Sequence, residues 1–154
     1  MKRLMLFVLA LVVSTAATAG NTIYAQLSSA IDQLDGQFKA EIVDGLNGME
    51  YDVNNGLTAE KAGEYLIMFV PQTGAAVGCS NYWLRVNGWD VSNSNIRVCQ
   101  TDPSQTVVAI SQGVVPLDKG DSVTFQMSGD LGAQATQPVD EPLVPSAIIT
   151  VYKL

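Results

Sequence analysis

The chain has 154 residues, 15 of them acidic and 8 basic, none histidine, with a formal net charge of −7. That balance argues against nucleic-acid binding, which requires cationic neutralisation of phosphates, and against attachment to an anionic membrane surface. Without histidine there is no Ser-His-Asp or Cys-His nucleophilic site and no His-ligated zinc.

Residues 1–19 read as a cleaved signal peptide. Lys2 and Arg3 form a positive start, Leu4 to Val13 an apolar stretch, and Ala17-Thr18-Ala19 a small-residue cleavage site. The apolar stretch is too short to span a bilayer as a helix, so no membrane insertion is expected. Cleavage leaves six basic residues against fifteen acidic, a net charge of −9 on residues 20–154. The expected location is secreted, extracellular or periplasmic.

From Asn21 onward the pattern is short strands punctuated by turn residues, as in a sandwich or barrel. Strands are predicted over 21–29, 38–44, 49–53 and 63–70, the last stopping at Pro71. Asn54-Asn55-Gly56 is a turn, and 72–78 a loop. Only 28–34 and 57–62 offer a helical turn. Asn81 to Asn87 alternates and ends in Asn87-Gly88, the strongest short-range hairpin signal, and a second arm follows. Asp102-Pro103-Ser104 turns the chain into a long strand over 106–117, with Gly113 a bulge or bend. Asp118 to Asp121 is a tight turn into 122–128. Residues 129–144 are loop-rich, and 146–153 is the closing strand.

Alternation sorts the faces. Tyr82, Leu84 and Val86 oppose Trp83, Arg85 and Asn87, while Val123, Phe125 and Met127 oppose Ser122, Thr124 and Gln126. The strands at 65–70 and 147–152 are apolar on both sides, so both of their faces want cover, in part from another subunit. Cys79 and Cys99 lie symmetrically about position 89, where a hairpin would bring its arms together. In an oxidising compartment they are expected to pair, a bridge worth roughly 3 kcal/mol by chain entropy. Two buried free thiols are the alternative.

Four segments resemble the complement C1q and tumour necrosis factor superfamily. GEYLIMFV at 63–70 is similar to its G-x-Y strand. CSNYWLRVNGWDVSNSNIRV at 79–98 is similar to a hairpin frequent in phage and bacterial members. VPLDKGD at 115–121 resembles its L-x-x-G-D turn, and PSAIITVYKL at 145–154 its closing strand. The resemblance covers about 22–154. It implies an all-β, ten-strand jelly-roll sandwich that assembles as a homotrimer and recognises rather than catalyses. It also implies that Trp83 and Tyr152 point toward the trimer axis. No Gly-X-Y stalk precedes Tyr24, so a stalked architecture is not expected.

The chemistry-bearing residues fit that reading. No phosphate-cradling glycine loop is present and no carboxylates are paired by spacing, so neither catalysis nor a cofactor is expected. Asp118 and Asp121 have the composition of a calcium loop, with Asp52 and Asp140-Glu141 as further candidates, but turn chemistry accounts for Asp and Gly there and no metal is expected. Trp89 either packs over the hairpin, the preferred reading, or stands exposed and stacks on a sugar face. The function expected is a secreted, non-catalytic recognition or adhesion module for a protein or glycan. The alternatives are a structural knob without a ligand pocket and a hydrolase on a sandwich scaffold.

Overall fold

A computed structural model describes residues 22–136, 140 and 142–154; the signal-peptide segment lies outside the described residues. The period-two alternation becomes two antiparallel sheets packed as a sandwich, with no helix among the described residues. The strands are β1 Tyr24–Ser29, β2 Gly36–Gln37, β3 Ile42–Asn47, β4 Met49–Asp52, β5 Gly56–Ala59 and β6 Gly63–Pro71, then β7 Gly78–Val86, β8 Trp89–Asp90, β9 Ile96–Gln100, β10 Ser111–Leu117, β11 Ser122–Gly129 and β12 Ala147–Lys153. The first sheet runs β10-β6-β12-β1-β3. The second runs β4-β5-β11-β7-β8, with β2 also on β11 and β9 also on β7.

The core lies between the sheets, takes the expected side of β7 and β11, and selects one side of β6 and β12, whose two faces are both apolar in sequence. Tyr65, Ile67 and Phe69 of β6, Tyr82 and Leu84 of β7, Val123, Phe125 and Met127 of β11, and Ile149 and Val151 of β12 are all buried. Phe69 sits at its centre, with ring centroids 5.2 Å from Phe38, 5.5 Å from Phe125 and 6.2 Å from Tyr82. Buried tyrosine hydroxyls are satisfied: Tyr82 donates to the Gly132 carbonyl at 2.5 Å and Tyr65 to that of Lys61 at 2.6 Å. Such partners offset the cost of taking a hydroxyl out of water.

Several predicted elements shift. Residues 57–59 are strand β5, held between β4 and β11, not a helical turn. Phe38 and Ala40 are buried without belonging to a strand, and the ladder there starts only at Ile42. The strand expected from 106 begins at Ser111, and its register with β6 runs through Gly113 without a bulge. The register shift lies instead in the β1–β3 pair, where Gln26 meets Gly45 and Leu27 meets Val43, leaving Asp44 of β3 unpaired in the ladder. Pro116 lies on β10, an edge strand, where a missing amide donor is tolerated.

The outer face of the first sheet carries an apolar row beside a mixed one, Gln112, Met68, Thr150 and Gln26. Register places Val114, Leu66, Tyr152 and Tyr24 side by side across β10, β6, β12 and β1. Val70 and Ile148 are paired further along the same face. Val114, Tyr152, Tyr24 and Ile148 are exposed, at 57%, 45%, 40% and 37%. The two-sided apolar character read from these strands is therefore real, and the described residues leave the outer side uncovered.

Candidate functional site

The outer face of the second sheet is built around the hairpin. Asn87 and Gly88 both take positive φ, 51° and 84°, as a type I′ turn requires. The turn sets Arg85 opposite Asp90 and Val86 opposite Trp89. Period two then puts Asn81, Trp83 and Arg85 on the outer face of β7, away from buried Tyr82 and Leu84.

Asp90 organises this face. Its Oδ1 accepts a hydrogen bond from the Trp83 indole Nε1 at 2.8 Å and another from the Arg85 Nε at 2.5 Å. The Arg85 guanidinium lies 5.6 Å from the Trp83 ring centroid, within cation–π range. The Arg85 hydrogen bond first, then that of Trp83, hold the Asp90 carboxyl below the usual aspartate range. A depressed pKa keeps these contacts intact above the ordinary aspartate value of 3.8 and loses them as pH falls through the lower folded value. In a Trp89→Phe background, Trp83 fluorescence should therefore stay constant on acidification to that value and change only below it. A transition near neutral pH would contradict the pairing.

Beyond Asp90 the chain does not return directly to the ladder. Val91 to Asn95 makes a detour, with Asn93 at φ 65°, before β9 pairs with β7. Ser94, 1% exposed, pins the detour from inside. Its hydroxyl accepts from the Leu84 amide at 3.0 Å and donates to the Val91 carbonyl at 2.8 Å, while Ser111 donates to the Ser94 carbonyl at 2.6 Å. Between this detour and the sheet lies a cleft of about 270 Å³, lined by Asn81, Trp83, Asp90, Val91, Asn95 and Ser128.

Cys79 and Cys99 form a disulfide between β7 and β9, with Cα atoms 4.1 Å apart at directly opposed positions. The free-thiol alternative is set aside. Trp83 and Tyr152 are not brought together. Trp83 stands on β7, which pairs with β11, β8 and β9, whereas Tyr152 stands on β12, which pairs with β1 and β6. They leave the sandwich through opposite outer faces. Trp89 does not pack over the hairpin; it is 79% exposed.

The candidate calcium residues are occupied by turn chemistry. Asp121 accepts from the Asn87 side-chain amide and from the Asp118 backbone amide, both at 2.8 Å, and these bonds, the Asn87 one first, lower its pKa. Asn87 in turn accepts from the Ser122 amide at 2.9 Å, tying the hairpin tip to the 118–121 turn. Asp52 accepts from the amides of Asn54 and Asn55. Asp140 is exposed and Glu141 lies outside the described residues.

Sequence reasoning missed Asp90, Asn81, Asn95 and Ser128. Asp90 had a signal: a two-residue turn at 87–88 places it opposite Arg85. Ser128 joins through the pairing of β11 with β7, where it faces Asn81. No protein-family model matches the chain, and no curated protein matches its sequence.

Proposed function

We propose that the chain is a secreted, non-catalytic recognition module with the C1q/TNF-like jelly-roll fold, working as a homotrimer that presents a protein- or glycan-binding face. The contrast between the two outer faces carries this reading. One carries an apolar row that crosses four strands; the other is polar, with an aromatic cleft. Soluble monomers rarely expose a contiguous apolar patch of more than a few hundred Å² without a partner. Self-association through the first sheet buries that row and leaves the second sheet outward.

The topology supports the jelly roll. Ten strands have four or more residues, five in each sheet, and β2 and β8 are two-residue additions. With the two-residue β2 set aside, the chain crosses between sheets from β3 to β4, β5 to β6, β6 to β7, β9 to β10, β10 to β11 and β11 to β12, and its first and last strands are neighbours. The disulfide supports an oxidising compartment outside the cytoplasm.

Light scattering on the mature protein should give the mass of three copies. Tyr152→Glu places a charge in the apolar row and should reduce the mass to that of one copy. Trp83→Ala, on the opposite face, should leave it unchanged. A monomeric wild type would overturn the trimer, and a trimer unaffected by Tyr152→Glu would remove the first sheet from the interface.

A further inference from the structure

We propose that the cleft beside Trp83 binds one neutral pyranose residue of a glycan. The inference rests on the recognition reading above and names the ligand class of its outward face.

The polar groups of the cleft match a ring of hydroxyls. Each sugar hydroxyl is at once donor and acceptor, so its site needs both kinds of group at close spacing. The side chains of Asn81, Asn95 and Ser128 make no hydrogen bond among the described residues, and they present two amides and a hydroxyl to the cleft. Asn81 and Ser128 are cross-strand neighbours, so their positions are set by the ladder between β7 and β11. Asp90 uses Oδ1 for both Trp83 and Arg85, which leaves Oδ2 to accept from a ligand hydroxyl.

The apolar lining and the walls fit the same ligand. Trp83 and Val91 offer surface to the C–H side of a pyranose, and the indole is held in place by its bond to Asp90. The wall formed by the detour is anchored through buried Ser94, so little ordering cost falls on binding. A cleft of about 270 Å³ falls below the ~300–1,000 Å³ usual for drug-sized ligands, which suits one ring rather than an extended peptide.

Charge selects the neutral class. Arg85 is already paired with Asp90, and Arg97, opposite Asn81 across the β7–β9 ladder, is not among the lining residues. The chain as a whole is strongly acidic, which repels sialylated, sulphated or phosphorylated ligands.

The test is an array of immobilised neutral, sialylated and sulphated glycans probed with the folded, mature oligomer, followed by calorimetry with the monosaccharide common to the positives. Neutral glycans should bind, and Asn81→Ala and Asp90→Ala should each weaken binding by about tenfold or more, the scale of one lost hydrogen bond to a charged or well-placed group. Trp89→Ala should bind as wild type does. Binding confined to acidic glycans, or no glycan binding by the folded oligomer, would overturn the proposal. A neutral glycan bound equally by wild type and both cleft variants would overturn the cleft assignment while leaving the recognition reading intact. That broader reading fails separately, when arrays of extracellular proteins as well as of glycans give no binding.

Discussion

Phe69→Ala should cost about 3–5 kcal/mol of folding stability, the range for removing a fully buried aromatic ring. Phe69 is fully buried on β6, a strand flanked by β10 on one side and β12 on the other. Its ring meets Phe38 from the β2–β3 connection, Phe125 from β11 and Tyr82 from β7, so it bridges both sheets and a loop. Truncation removes apolar area and leaves a void whose walls are strands tied on both sides. They cannot collapse far without breaking ladder hydrogen bonds. Denaturant titration should show a lower midpoint with an unchanged slope, because the surface exposed on unfolding is nearly the same. A loss under about 1 kcal/mol would mean that the two sheets are not packed through this ring.

The face of Phe69 was legible from sequence, because period two makes Tyr65, Ile67 and Phe69 share a side, but with Leu66, Met68 and Val70 on the other side the pattern did not say which one enters the core. The same rule found the inner sides of β7 and β11, where the opposite face is polar, and Asn87-Gly88 fixed the hairpin tip. Elements set by partners rather than pattern were harder. Leu57 to Ala59 is too short to show a period, and it becomes a strand because β4 and β11 pair with it on both sides. Phe38 alternates like a strand residue. Its amide bonds the Phe125 carbonyl at 2.8 Å while its ring enters the core, and no extended ladder forms around it. The cleft was half legible. Trp83 and Arg85 were already on one face, and turn arithmetic reaches Asp90. Asn95 and Ser128 arrive through a detour and a distant strand, which local spacing does not encode. That Trp83 and Tyr152 stand on different sheets was not legible for a topological reason: sequence shows which side of a strand a residue takes, not which sheet the strand joins.

The Cys79→Ser, Cys99→Ser double variant should lose about 3 kcal/mol, the chain-entropy contribution of a bridge closing a loop with a sequence separation of 20. The register shows what this bridge holds. The turn at 87–88 pairs Arg85 with Asp90; continued without interruption, it would set Cys79 opposite Ile96. The observed partner of Cys79 is Cys99, three residues further on, and that offset is the detour between β8 and β9. The symmetry of the two cysteines about position 89 thus reflects the tight turn and the detour together. In the reduced or double-serine chain, β9 gains the freedom to slide back toward the register of the turn. That slip costs little in ladder hydrogen bonds but turns the side chains of β9 to the opposite face. Ser94 and the β7–β9 ladder resist it, and the disulfide removes the alternative from the unfolded ensemble as well. Chemical denaturation should therefore show a lower midpoint for the variant, and dithiothreitol should lower the wild type to the same value without affecting the variant. Hydrogen exchange should show the largest loss of protection in 91–99, next to the Trp83 cleft. Equal midpoints for wild type and variant would mean that ladder and Ser94 hold the register alone, and that the disulfide adds nothing to the wall of the cleft.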